Sequence, residues 1–299
     1  MRILVALDLG HASADILARA AELAAMARAR LIVLHVIETE TLAHAAELSG
    51  FNENLLRASL QQEARSKLDA LLADKGIVAD TVRIEWGVPH KIIVHLAHEV
   101  GASLLVIGPG RTETLKERVI GSTADRVIRT APNAVLMVRG SGRKHYREIV
   151  VAVDFSPESE AAALAARALA PDARLLLLHV DDIPPQFHEA MLRAGTSRAE
   201  MERYREARRA KAQSALTEFA RGVAGQTEGR VSDGLPIPVL LQFSRHDVDL
   251  LAVGSHGRSG IMQALLGGVT QAVLRGSGCD VLIASDKRSA ERLRPSEVY

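Results

Sequence analysis

The sequence predicts an α/β protein built from two tandem copies of one domain. Each copy is a parallel sheet with helices on both faces. Three observations carry this reading. The chain repeats itself, its strand-like runs are apolar without alternation, and segments at helical spacing separate them. Ile3–Asp8 (ILVALD) recurs as Ile149–Asp154 (IVVAVD), and Ala29–Val36 (ARLIVLHV) as Ala173–Val180 (ARLLLLHV). Leu104–Gly108 recurs as Leu250–Gly254, and Gly121–Arg129 as Gly267–Arg275. Asp8 and Asp154 stand 146 residues apart, as do Gly108 and Gly254, whereas Val36 and Val180 stand 144 apart. The insertions are therefore small, and the period is that of a whole domain. Domain 1 is expected over 1–139, a small polar linker over 140–146 (Gly140–Tyr146), domain 2 over 147–286 and a tail over 287–299.

Within the first copy, Ile3–Leu7 is an apolar run ending at Asp8, and residues 13–28 place Ile16, Leu17, Ala20, Leu23 and Ala24 at helical spacing. Leu31–Val36 is a second apolar run, followed by an amphipathic stretch over about 53–74. Val82–Trp86, a helix from Pro89 to about Val100, Leu104–Ile107, a helix near 119–129 and Ala134–Val138 complete the copy. Pro89 suits the first turn of a helix, where the missing N–H is not needed. In sheets of this kind ligands bind beyond the carboxyl ends of the strands. That places Asp8, Val36 and Gly108, with Asp154, Val180 and Gly254, at two equivalent crevices.

Composition narrows the function. The 299 residues carry 37 Lys+Arg against 36 Asp+Glu, so no basic excess argues for a nucleic-acid or membrane-surface binder. Aromatics are 3%, too few for a base-stacking platform. One cysteine, Cys279, leaves no disulfide framework or cysteine metal cluster within the chain, and a reducing cytoplasm is the expected location. The opening residues make a poor signal peptide, and no window approaches the ~18 apolar residues of a spanning helix.

The most informative stretch is Gly254–Gly268, which leaves a strand, turns through Gly254, Gly257 and Gly260, and enters a helix. Glycines let backbone N–H groups approach a ligand closely, and a helix N-terminus suits phosphate. The segment is neither a P-loop nor a dinucleotide fingerprint, since Gly-Lys-Ser/Thr and Gly-x-Gly-x-x-Gly are both absent. A long glycine-bearing loop on a sheet edge is the plain alternative. Ser259 lacks the Gly-x-Ser-x-Gly setting of a hydrolase elbow.

Here the chain resembles the universal stress proteins, over about 1–139 and 147–285. Their ATP-binding members carry Gly, two residues, Gly, nine residues, Gly, then Ser or Thr. Gly254, Gly257 and Gly267 match the three glycines, and Gly268 replaces the hydroxyl residue. In the first copy Gly108, Gly121 and Ser122 match, but Arg111 falls on the middle glycine unless Gly110 serves in its place. The resemblance implies a five-stranded, Rossmann-like parallel sheet of the adenine nucleotide alpha hydrolase type. It also implies an ATP site in the C-terminal copy. Asp154, with Val153, Phe155, Ser156 and Val180, would hold adenine and ribose; Gly254, His256, Gly257, Arg258, Gly267, Gly268 and Val269 would hold phosphates, and Asp154 could also ligate Mg²⁺. A second site, in the N-terminal copy, would use Leu7, Asp8, Val36, Gly108, Gly110, Gly121, Ser122 and Thr123. Family members pair through their last strands, so this tandem chain is expected to be an internal pseudo-dimer, with Val135–Val138 against Val281–Ala284, and it could form homodimers.

Two functions follow. One is an ATP-binding stress-response protein with at most slow hydrolysis and no named catalytic residue. The other is a nucleotide-free scaffold with degenerate pockets, open to another small molecule. An adenylating enzyme is set aside, because neither Asp8 nor Asp154 opens a Ser-Gly-Gly-x-Asp-Ser loop. His90, His95 and His98 are expected to be ordinary histidines rather than metal ligands, and His35 and His179 to be structural. Arg198–Arg221 is expected to be a solvated helix laced with ion pairs, Pro184-Pro185 a crevice-side turn, and Cys279 a small buried hydrophobe.

Overall fold

The computed structural model describes residues 1–39, 53–110, 120–139, 145–183, 185–245, 248–257 and 266–293. The first half runs β1 (Arg2–Leu7), α1 (Ser13–Met26), β2 (Arg30–Glu38), α2 (Glu53–Lys75), β3 (Thr81–Gly87), α3 (Pro89–Glu99), β4 (Leu104–Ile107), α4 (Ser122–Thr130) and β5 (Ala134–Met137). The second runs β6 (Glu148–Ala152), α5 (Pro157–Leu169), β7 (Arg174–Asp181), α6 (Pro185–Arg193), α7 (Arg198–Arg221), β8 (Thr227–Asp233), α8 (Pro236–Phe243), β9 (Leu250–Gly254), α9 (Gly268–Gly276), β10 (Asp280–Ala284) and α10 (Lys287–Glu291).

Each half contributes five parallel strands, but the two sheets are one. The order is β3-β2-β1-β4-β5-β10-β9-β6-β7-β8, ten strands joined at β5 and β10. Those two strands run antiparallel, with Val281 opposite Met137, Leu282 opposite Leu136 and Ile283 opposite Val135. The reason is compositional. Every residue of β4, β5, β9 and β10 is buried, so neither β5 nor β10 could serve as a water-exposed edge. The two apolar layers cross the joint. One face carries Ile3, Leu104, Leu136, Leu282 and Leu250, and the other Leu4, Leu105, Val135, Val281 and Leu251.

The joint also holds a buried polar cluster. Asp280, 1% exposed, accepts from the Arg139 N–H (2.7 Å) and the Tyr146 hydroxyl (2.7 Å). Arg19 of α1 reaches it at 3.2 Å and lies over the Tyr146 ring. Tyr146, expected to end a polar linker, is thus a core residue, and its phenol is pushed well above its usual pKa, chiefly by burial and then by Asp280. The residues expected as a tail also begin in the core: α10 packs on α5, with Ala290 and Leu293 buried.

Candidate functional site

In the C-terminal half, β6 ends short of Val153 and Asp154, and the chain turns through Phe155 at φ +63°, a left-handed conformation unusual for a bulky residue. Asp154 Oδ1 accepts from the Ser156 N–H (3.0 Å) and from the Ser156 hydroxyl. Ser156 in turn caps α5, accepting from the Ser159 N–H, with Pro157 in the first turn. Asp154 is therefore aimed by a short hydrogen-bonded turn. The N-terminal half repeats this. Leu9 has φ +57°, and Asp8 Oδ1 accepts from the Gly10 N–H (2.8 Å) and the Ser13 hydroxyl (3.2 Å).

His179 and His35 serve the strand ends. His179 Nδ1 lies 2.7 Å from the Val153 carbonyl, and His35 Nδ1 lies 2.8 Å from that of Leu7. The Phe155 ring packs on His179, with centroids 4.6 Å apart. The Val153 and Leu7 side chains are buried in the core. Val180 and Val36 are half-buried near the ends of β7 and β2.

After β9 the chain passes Gly254, His256 and Gly257. A Cβ on Gly254 would stand 2.8 Å from Glu158 Cβ and 2.9 Å from its carbonyl carbon, so this glycine lets α5 close on the strand. A Cβ on Gly257 would stand 2.7 Å from Asp154 Oδ2, which brings the glycine segment and the first-strand carboxylate together. The Gly267 N–H donates to the Ser255 carbonyl (3.0 Å), and the Thr270 hydroxyl to the Gly254 carbonyl (2.7 Å), docking the start of α9 on the end of β9. Around Gly268 a Cβ would meet nothing within 4 Å among the described residues. First-turn N–H groups lack intrahelical acceptors, so Gly268, Val269 and Thr270 present donors at the positive end of α9. Among the described residues His256 Nε2 is buried without a hydrogen-bond partner, while its Nδ1 lies 2.9 Å from the Ser255 hydroxyl. The arrangement suits an anionic group: open space, free amides and an imidazole with an unused nitrogen. Arg258 lies outside the described residues.

The N-terminal bend is built otherwise. The Gly121 N–H donates to the Pro109 carbonyl (2.7 Å), the counterpart of Gly267 and Ser255. This aligns Gly110 with His256 and puts Arg111, outside the described residues, in the register of Gly257. Gly110 has φ +93°, and a Cβ there would stand 3.0 Å from Gly121 Cα. A Cβ on Gly108 would stand 2.5 Å from Ile16 Cδ1. Here the glycines admit the protein's own chain. Ser122 is exposed and Thr123 half-buried at the start of α4.

Other expectations resolve quickly. His95 and His98 are exposed on α3, and burial with nearby Arg126 and Lys91 lowers the pKa of His90. The described residues contain no group of three or more His, Cys, Asp or Glu placed to hold a metal, and none of their helices is long and apolar enough to cross a membrane. Cys279 is buried, and burial pushes its thiol up to about 11. The helix α7 has a capping box between Ser197 and Glu200, and those hydrogen bonds lower the Glu200 pKa. Its ion pairs also reach across the fold: Arg208 binds Asp181 at the end of β7, and Arg209 lies 3.6 Å from Asp233. Pro184 lies outside the described residues. The sequence reading missed the Thr270 anchor, the Arg208–Asp181 clamp and the Asp280 cluster. Each joins residues distant in the chain, and only Thr270, in the first turn of a helix after glycines, left a local trace.

The model of the universal stress protein family matches residues 1–139 and again 145–285. Universal stress protein A homolog 1 of Coxiella burnetii is 33% identical over 137 residues, covering 46% of this chain and 94% of that protein. Universal stress protein YxiE of Bacillus subtilis is 31% identical over 146 residues, covering 46% of this chain and 98% of its own. Among solved structures, a universal stress protein from Archaeoglobus fulgidus superposes with a TM-score of 0.59 at 17% identity, covering 95% of this chain and 98% of that one. A Pseudomonas aeruginosa protein described as functionally unknown gives 0.62 at 20% identity, covering 98% and 95%. The shared fold spans both halves.

Proposed function

The chain belongs to the universal stress protein family, and on that premise we propose that it is a cytoplasmic stress-response protein that binds ATP in its C-terminal half. One observation carries the reading. Among the described residues, Gly257 leaves no side chain against Asp154, Gly268 leaves open space over the first amides of α9, and His256 Nε2 has no hydrogen-bond partner. Asp154 and the Phe155 turn would take the ribose and base, and the amides of Gly268 and Val269, with His256, the phosphates. Magnesium takes only one or two carboxylates beside phosphate oxygens. Asp154 could supply one, and the ion would arrive with the nucleotide. When bound it would neutralise phosphate charge; the protein's part is to hold and orient. Fast hydrolysis needs a positioned base or an oriented water as well as cations. Asp154 is already held by Ser156, so binding with at most slow turnover is the function we favour.

A second reading, a nucleotide-free interaction scaffold, draws on the N-terminal half, where Gly110 and Gly121 lie against each other. Heat-denatured protein and a melt with Mg-ATP separate the two. Nucleotide at ~100 times its dissociation constant adds about 2.7 kcal/mol to the native state and raises the melting point by several degrees. Neither released nucleotide nor any shift would leave the scaffold.

A further inference from the structure

Among the described residues β3 is an edge strand of the ten-stranded sheet, paired only with β2. Its sequence, Thr81–Gly87 (TVRIEWG), is complementary to itself when reversed about Ile84. Reversal sets Arg83 opposite Glu85, Glu85 opposite Arg83 and Val82 opposite Trp86. The backbone phase agrees. The Asp80 N–H donates to the Leu31 carbonyl of the neighbouring chain segment, so even-numbered residues of β3 face β2. By alternation the N–H and C=O groups of Thr81, Arg83, Glu85 and Gly87 point outward. In an antiparallel pair about Ile84, odd residues meet odd residues, and every outward group finds a partner. Val82 and Trp86 then form the closely spaced, non-hydrogen-bonded pair, a favourable aromatic–β-branched contact.

The flank of this strand is open. The helix α2 buries only Ala64 and Leu68, and a groove of about 580 Å³ separates it from β3, bordered by Ala58, Gln61, Gln62 and Arg65 on one side and Val82 and Ile84 on the other. The Arg83 and Glu85 side chains pair with each other at 2.7 Å, with Glu99 3.9 Å from Arg83, and both remain partly exposed, so they can exchange partners across an interface. The opposite edge differs. β8 has Gly229 as its third residue, pressed by Leu216 of α7, and Glu228 is already shared between Arg174 and Arg230.

We propose that β3 is a homodimerisation edge, pairing antiparallel with β3 of a second copy of this chain about Ile84. The partner is a second copy because the charges and the apolar contacts match when the strand is reversed onto its own sequence.

Sedimentation velocity of the full chain over a range of concentrations tests this. Wild type is expected to dimerise. Arg83→Glu and Glu85→Arg each place like charges opposite one another twice per dimer, and each should weaken self-association about tenfold or more. Mixing those two variants should restore a dimer, and the double swap R83E/E85R should dimerise as wild type does. Unchanged circular dichroism and melting points would show that the variants are folded. A chain that stays monomeric, single variants that dimerise as well as wild type, or a mixture that fails to associate would each overturn the proposal.

Discussion

In the N-terminal half, Gly110 takes φ +93° and lies against Gly121; in the C-terminal half the same place is His256, and the next residue is Gly257, facing Asp154. The surroundings are otherwise alike. Both halves share the left-handed residue after the first-strand aspartate, the hydrogen bond from a residue-i+2 N–H to that aspartate, the strand-end histidine and the docked helix start. Moving one glycine along the chain therefore changes what faces it, the Gly121 backbone in one half and the Asp154 carboxylate in the other. The halves differ at the joint as well. Arg19 and Asp280 are charged and buried, whereas Ala165 and Ala134, which the repeat places in the equivalent positions, are fully buried alanines. A common backbone thus tolerates a polar lock on one side and an apolar one on the other.

The comparison can be broken or sharpened by substitution. The largest effect is expected from Arg19→Met, which leaves the Asp280 carboxylate buried without its cation. Chemical denaturation should show a loss of about 3–5 kcal/mol, and joint replacement with Asp280→Asn should recover part of it. Next, Gly257→Arg, which copies Arg111 into the C-terminal half, should erase the stabilisation of about 2.7 kcal/mol given by saturating Mg-ATP in a thermal melt. If the ligand-dependent shift survived, the phosphates would have been placed wrongly. Gly110→Ala puts a methyl group at positive φ against Gly121. It should destabilise the apo protein by about 1–3 kcal/mol in urea titrations. Copying Ser122 into the C-terminal half gives the contrast. Gly268→Ser enters open space, should change apo stability by no more than about 0.5 kcal/mol, and should tighten ATP binding about tenfold in calorimetry through a hydroxyl on a charged phosphate.

The smallest effect concerns pH. Burial raises the Glu22 pKa, with Arg19 and His145 opposing. As pH rises from the ordinary carboxylate range, Glu22 ionises first in the unfolded chain. Native stability falls until the folded-state Glu22 has also lost its proton. Glu22→Gln should flatten that decline in melting point against pH.

Much of this was legible in the order of residues. The repeat, the apolar runs and the Asp and Gly at the strand ends are local patterns. A parallel strand buried on both faces must be apolar throughout, and a helix start after glycine offers free amides whatever surrounds it. Pairing of the last strands followed from the family resemblance, and the apolar runs of β5 and of β10 beyond Asp280 agree with it. What only the folded chain decided depends on distances between residues far apart in sequence. Two five-stranded units became one sheet because their unprotected strands bury each other. Tyr146 passed from linker to core because Arg19 and Asp280, 261 residues apart, converge on it. The spacing around Gly110 and Gly257 is nearly the same on paper. What each glycine faces, Gly121 in one half and Asp154 in the other, appears only when those distant residues are brought within van der Waals range.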